Sequence, residues 1–347
     1  MASVDFGGGD QVRFERIGVA GVITLTRPDV LNALSHQMVK AMSRALTDWQ
    51  GDRNVELVII KAEGRAFCSG GDVRKLYESR ANPPYEFFAD EYRLNYQIER
   101  FPKPYVALID GIAMGGGVGV GFHGSHRVLT ENAVFAMPET GIGFFPDVGG
   151  SHLLPDLADN FGLYLGLTAK QIKWGDAFIC GLATHPAKAA DIGALFTMLA
   201  REGNVEQTLR NFFNMPRRET DQSTWSRIDG WFGKKTFDDV VAALEADKAD
   251  PVAADILRTL QTKSPTSLKV TFRELRLGQT MSMAKCMQME NRIMSRMLQG
   301  HDLYEGIRAV IIDKDQAPKW SPAKLADVSD ADVDAYFAPL PGGELAL

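Results

Sequence analysis

The sequence predicts an α/β fold with a helical C-terminal region. Two apolar runs of strand length, over 55–60 and 105–109, each lead into a glycine-rich turn and then a helix-like stretch. The alternation of strand, turn and helix continues to about residue 140, the mark of an α/β core. Beyond Gly149 the apolar spacing is almost entirely helical.

Residues 11–26 read as two short strands broken at Gly18 and Gly21. Ser35 opens a helix over 35–49 that places Met38, Met42, Leu46 and Trp49 on one face. The strand over 55–60 runs into Arg65-Ala66-Phe67-Cys68-Ser69-Gly70-Gly71-Asp72, where Asp72 is placed to cap the next helix. Asn82-Pro83-Pro84 precedes a helix over 85–100, which carries Glu91 on its polar side and ends at Pro102 and Pro104. The strand over 105–109 meets Gly115-Gly116-Gly117, and the apolar stretch 134–137 leads to Pro138 and Glu139. Helices follow over 153–166, 187–201, 205–213, 237–246, 253–262, 265–277 and 281–298. The polar stretch 216–224 reads as a linker. It separates a core over 11–215 from a helical region over 216–347 that packs on it.

The 347 residues are enough for a substantial core, and the net charge of −6 argues against a general nucleic-acid or anionic-membrane surface. It leaves room for a local basic patch facing a phosphorylated ligand. Cys68, Cys180 and Cys286 are odd in number and far apart, which suggests a reducing compartment and no disulfide framework. No Cys/His spacing suggests a metal site. The N-terminal segment has neither the apolar core of a secretory signal nor the arginines of a mitochondrial presequence, so a cytoplasmic protein is expected. No apolar run reaches membrane-spanning length.

The densest chemistry lies over 109–151. A glycine-rich turn comes first, then Glu139, then Asp147 in a second Gly/Pro-rich turn. Glycines let backbone N–H groups approach a ligand closely. Two strand–turn–helix units, at Ser69-Gly70-Gly71 and Gly115-Gly116-Gly117, can each offer one N–H to a single oxygen, the geometry of an oxyanion hole. A carboxylate beside it is a base or a nucleophile. Other motifs read as structural. Gly119-Val120-Gly121-Phe122-His123-Gly124 has the form GxGxxG, but Gly111 to Gly117 separates it from its strand, so the glycines are expected inside a tightly packed helix. His123, Ser125, His126 and His152 cluster in sequence without a nucleophile elbow. Cys68 reads as a small packing residue.

RPDVLNALS, AFCSGGD, DGIAMGGGVG and MPETGIGFFPD, in that order, resemble the crotonase (enoyl-CoA hydratase/isomerase) superfamily. SPTSLKVTFREL and YEGIRAVIIDKDQAPKW are similar to its 3-hydroxyisobutyryl-CoA hydrolase branch. The resemblance implies a ββα spiral core and an acyl-CoA partner, with CoA as part of the substrate and no metal or redox cofactor. It implies oxyanion donation by the N–H groups of Ser69 and Gly116, catalysis by Glu139, a substrate or acid role for Asp147, a ligand contact by Glu91, and CoA contacts at Val30, Gly71 and Asp72. It also implies a place in valine catabolism and a possible homo-oligomer. At Gly119 the chain departs from the hydratases, which carry a second glutamate there so that two carboxylates share one water. The expected reaction is therefore hydrolysis of a short 3-hydroxyacyl-CoA thioester. The alternatives are an enoyl-CoA hydratase or isomerase and a non-catalytic acyl-CoA-binding protein.

Overall fold

Strand pairing in the chain is mostly parallel, as the alternation of apolar runs and helices requires. The structure, a computed structural model, describes residues 2–347. Its strands are β1 (Ala2–Ser3), β2 (Val12–Ile17), β3 (Ala20–Leu25), β4 (Leu57–Ala62), β5 (Ala66–Cys68), β6 (Tyr105–Ile109), β7 (Ile112–Met114), β8 (His126–Leu129), β9 (Val134–Ala136), β10 (Ile172–Lys173) and β11 (His185–Pro186). A seven-stranded sheet has the order β1-β2-β3-β4-β6-β8-β11, and a four-stranded sheet the order β10-β9-β7-β5. From β3 to β11 the larger sheet is parallel, with β1 and β2 antiparallel at one edge.

By internal contacts the chain divides into two units. The first holds the N-terminal stretch to Asp72, Asp90–Phe135 and Ile172–Glu219. On one face of its large sheet Val22, Ile59, Val106 and Val128 pack with Leu195 and Leu199 of the helix Ile192–Glu202. The helix His36–Gly51 is capped by Ser35, whose Oγ accepts from the Met38 N–H at 3.3 Å, and it buries the predicted Met38, Met42, Leu46 and Trp49. Gly21 does not break the first hairpin. It lies inside β3, where a Cβ would meet the Trp49 ring at 2.6 Å. The helix expected over 187–201 begins late, because Ala187 donates to the Leu129 carbonyl and a 3-10 turn fills Ala189–Asp191. The expected linker is anchored at its centre. The Glu219 carboxylate accepts from the N–H groups of Gly175 and Asp176, and the Glu219 N–H donates to Asp176.

The second unit comprises Val73–Ala89, Ala136–Gln171 and Thr220–Leu347. Its helices Pro265–Gly278 and Met283–Met297 pack against the short helix Gly150–Leu153. The single helix expected over 153–166 is broken. Pro155 and the left-handed residues Asp159 and Asn160 (φ +58° and +53°) divide it into short turns before the helix Phe161–Thr168. Among the described residues, no helix is long and apolar enough to cross a membrane.

Candidate active site

In the first unit, two glycine turns converge. β5 delivers Ser69, Gly70 and Gly71, and β7 delivers Gly115 and the short helix Gly116–Gly121. Gly70 and Gly115 take positive φ, +109° and +49°, which glycine adopts without a Cβ penalty. A Cβ on Gly116 would stand 2.5 Å from Glu91 Oε1, 3.1 Å from Leu34 Cδ1 and 3.4 Å from Gly71 N. A Cβ on Gly117 would run into the Cys68 carbonyl. The glycine triplet is thus what lets the two turns touch.

The hydrogen bonds correct the expected donor pair. The Ser69 N–H donates to the Leu31 carbonyl at 3.0 Å, so it is already committed. The neighbouring chain is locked in the same way, with the Leu34 N–H donating to the Gly70 carbonyl at 2.8 Å and Leu34 bridging Gly71. Gly71, two residues on, brings its backbone nitrogen up to Gly116, 3.4 Å from where a Cβ on that glycine would stand. Asn32, which the sequence reading passed over, builds this frame. It is fully buried with φ +55°, its Oδ1 accepts from the Arg27 N–H, and its Nδ2 donates to the carbonyls of Glu63 and Ala66. The loop it pins ends the 3-10 turn Pro28–Val30, where Val30 is 46% exposed. Asp72 lies beside this loop, 3.9 Å from the Arg27 guanidinium.

Glu91 is not on a solvated face. It is 2% exposed on the helix Tyr85–Glu99, and Tyr92, Leu94, Asn95 and Ile98 are buried with it. Its charge is felt by Cys68, whose thiol burial pushes up to about 12 with Glu91 adding to the rise. A thiol held there stays protonated at neutral pH, in keeping with a packing role. Gly119 and Gly121 lie inside the helix Gly116–Gly121, where a Cβ on Gly121 would meet Phe67 at 2.8 Å. The Ser125 and His126 side chains do form a chain, with Ser125 Oγ 2.8 Å from His126 Nδ1 and His126 Nε2 3.1 Å from Glu206. Ser125 Oγ, however, also accepts from the Tyr105 N–H at 3.0 Å, so it serves as a brace for β6.

In the second unit the polypeptide gathers buried carboxyl groups. Glu139 opens the 3-10 turn Glu139–Ile142 and is 6% exposed; Asp147 is 5% exposed. The Glu139 carbonyl accepts from the Phe144 N–H, and the Asp147 carbonyl from the Gly150 N–H. After Asp147 the chain bends through two left-handed residues, Val148 (φ +52°) and Gly149 (φ +87°), into the helix Gly150–Leu153. Two further glutamates arrive from distant helices and were not foreseen. Glu290 accepts from the N–H groups of Gly149 (2.9 Å) and Ser151 (3.1 Å) and from the Ser151 hydroxyl. Glu274 is fully buried, and neither of its oxygens has a hydrogen-bond partner among the described residues. Burial raises the Glu274 carboxyl well above the usual range, and the charges of Glu290, Asp147 and Glu139 raise it further. Burial also raises Glu290, to about 8, against the lowering effect of its bonds to Gly149 and Ser151. Glu139 and Asp147 therefore share one electrostatic neighbourhood. Both glutamates carried a sequence signal. Glu274 falls on the buried stripe with Ser267, Thr271 and Gly278, and Glu290 lies between Cys286, Met287, Ile293 and Met294 at helical spacing. Among the described residues no group of His, Cys, Asp and Glu is arranged to hold a metal ion.

Residues 20–337 match the family model described as enoyl-CoA hydratase/isomerase. The chain is 42% identical to the mitochondrial 3-hydroxyisobutyryl-CoA hydrolase of Mus musculus over 96% of this chain and 90% of that protein. It is 39% identical to the mitochondrial 3-hydroxyisobutyryl-CoA hydrolase of Homo sapiens, over 97% and 90%. Among solved structures, it superposes on a carnitinyl-CoA dehydratase from Mycobacterium thermoresistibile with a TM-score of 0.92 at 39% identity, over 97% of this chain and 99% of that one. An enoyl-CoA hydratase from Rhodobacter sphaeroides superposes with a TM-score of 0.87 at 37% identity, over 97% and 100%.

Proposed function

This chain belongs to the enoyl-CoA hydratase/isomerase family, and within it we propose that it hydrolyses short 3-hydroxyacyl-CoA thioesters, 3-hydroxyisobutyryl-CoA first among them, to the free acid and CoA. The observation that carries this reading is the pattern of acid groups. Glu139 and Asp147 are both buried in one carboxyl cluster, while position 119 is a glycine inside a helix. A second glutamate at 119, which hydratases use to share one water, is absent. The relatives named as hydrolases, matched over about 90% of their length, support the same reading.

Thioester hydrolysis needs an electrophilic carbonyl, a stabilised oxyanion and a way to move one proton. The N–H groups of Gly71 and Gly116 would hold the thioester oxygen as it gains charge. Two routes are open to Glu139. As a base it takes a proton from water, whose oxygen bonds to the carbonyl carbon; as a nucleophile it bonds to that carbon itself, and water then opens the mixed anhydride. In either route the C–S bond breaks and the thiolate takes up a proton on leaving. Asp147 and Glu91 would accept hydrogen bonds from the substrate hydroxyl. Val30, Gly71 and Asp72 would face CoA, for which the exposed apolar side chain of Val30 is suited.

A second reading, hydration of an enoyl-CoA, is favoured by the likeness to the solved carnitinyl-CoA dehydratase and enoyl-CoA hydratase. Purified protein given 3-hydroxyisobutyryl-CoA, 3-hydroxypropionyl-CoA and crotonyl-CoA separates the readings. Thiol released from the two hydroxyacyl thioesters supports hydrolysis. Loss of enoyl absorbance without thiol makes the protein a hydratase, and binding with neither makes it an acyl-CoA carrier.

A further inference from the structure

The turn that carries Asp147 is held in an unfavourable backbone shape. Val148 is β-branched, and its φ of +52° lies in the left-handed region that such residues rarely enter. A conformation of this kind persists only where the surroundings over-determine it, and it marks places where position matters. Here the surroundings are specific. Through this bend the Gly150 N–H donates back to the Asp147 carbonyl, while the N–H groups on either side of it, of Gly149 and Ser151, are left for another acceptor. Glu290 supplies it from the helix Met283–Met297. One of its oxygens accepts from the Gly149 N–H, and the other from the Ser151 N–H and hydroxyl.

Glu290 and Ser151 are both completely buried. The close approach also depends on Gly278, where a Cβ would collide with the Ser151 carbonyl. Burying a glutamate has a large desolvation cost, which three hydrogen bonds offset only in part. A hydrophobic residue would fill the same volume without that cost. What the glutamate adds is a fixed trajectory for the backbone from Asp147 to Ser151.

We infer that Glu290 is a positioning residue: it holds the strained Asp147–Ser151 turn so that the Asp147 carboxylate meets the substrate, and it acts through Asp147 alone. The inference rests on the role given to Asp147 above, and its test separates the two. A residue acting through Asp147 must reproduce the Asp147 defect in kind, whereas a residue that only stabilises the fold lowers stability and leaves substrate preference intact.

The test measures kcat and KM for 3-hydroxyisobutyryl-CoA and isobutyryl-CoA with the wild type, Asp147→Ala, Glu290→Gln and Ser151→Ala. Gln keeps the shape of Glu290 but presents an NH2 group to at least one N–H donor. Ser151→Ala removes only the hydroxyl and guards against a Glu290 variant that does not fold. The expected result is a graded loss of preference for the hydroxylated substrate. Ser151→Ala loses about threefold and Glu290→Gln about five- to tenfold, the scale of one or two hydrogen bonds. Asp147→Ala loses most, and the losses fall in kcat with KM little changed. If Asp147→Ala slows both substrates equally, the hydroxyl role of Asp147 falls, and the inference stands only if Glu290→Gln lowers kcat on both with an unchanged melting temperature; a loss that follows a lowered melting temperature overturns it. If Asp147→Ala shifts the preference while Glu290→Gln and Ser151→Ala keep the wild-type ratio, the inference is overturned. Should Asp147→Ala change nothing, both fall together.

Discussion

The two regions to which the proposed chemistry is assigned are made of different material. Around Gly71 and Gly116 the working groups are backbone N–H donors, held by a frame of main-chain bonds and one buried asparagine. From Glu139 to Ser151 the working groups are side-chain carboxyls packed among other carboxyls. A backbone donor does not titrate, and short of a proline, which removes the N–H and disturbs the turn with it, a substitution can only crowd or displace it. A buried carboxyl can be removed one atom at a time, and its charge depends on pH and on its neighbours. The first region should therefore fail sterically and the second electrostatically.

The largest effect is expected from crowding the donors. Gly116→Ala places a methyl 2.5 Å from Glu91 Oε1 and 3.4 Å from Gly71 N. The Glu91 carboxylate must give way and the methyl crowds the Gly71 N–H, so kcat for thiol release should fall by about 100-fold, the lower end of the scale of a lost oxyanion donor. A Gly116→Ala enzyme with wild-type turnover and an unchanged melting temperature would remove Gly116 from contact with the reacting atoms.

Next comes the reading of the substrate hydroxyl. Deleting the Asp147 carboxylate should lower kcat/KM for 3-hydroxyisobutyryl-CoA by about 1–3 kcal/mol of transition-state stabilisation. Isobutyryl-CoA, which has no hydroxyl to lose, should be affected much less. Parallel rate measurements on the two thioesters decide this, and equal losses count against the assignment.

The smallest effect is on stability, and it is specific to the carboxyl cluster. The Glu274 carboxyl is held above its ordinary 4.5 by burial first, then by Glu290, Asp147 and Glu139. Its raised value means that the fold keeps a proton which the unfolded chain gives up. The stabilisation is complete below about pH 4 and is lost as pH rises toward the folded-state value. Glu274→Gln imitates the protonated form and abolishes this dependence. Its melting temperature should match the wild type near pH 4 and exceed it at pH 8, by about 1–2 °C for each kcal/mol relieved. Melting curves at the two pH values check the sign. A variant less stable than the wild type at pH 8 would mean that Glu274 is ionised and bonded in the fold.

The same contrast explains what could be read in advance. The α/β class, the glycine turns, Glu139 and Asp147 lie in short contiguous motifs whose chemistry is local. Ser69 as the N–H donor is where the reading of these motifs fails. Cys68 to Gly71 offer successive N–H groups, and only the pairing of Ser69 with Leu31 shows which of them is already used. Glu91 was expected on the polar side of its helix, with a ligand contact implied by the resemblance alone; the helix is in fact buried on adjoining sides by Tyr92, Leu94, Asn95 and Ile98. Glu290 reaches its partners from 139 and 141 residues away, a separation across which no spacing rule operates. A glutamate on the buried stripe of a helix was the available sign, among apolar side chains for Glu290 and among small ones for Glu274.

The central claim is that Glu139 performs the chemistry on a thioester, and one comparison tests it most directly. Thiol release from 3-hydroxyisobutyryl-CoA is followed for the wild type and Glu139→Gln, with CoA affinity measured for both. Gln keeps the size of the side chain and removes its charge. The account predicts that CoA binds both proteins equally and that turnover falls by at least about a hundredfold, as for a lost acid–base group. Thiol release by Glu139→Gln at nearly the wild-type rate would contradict it.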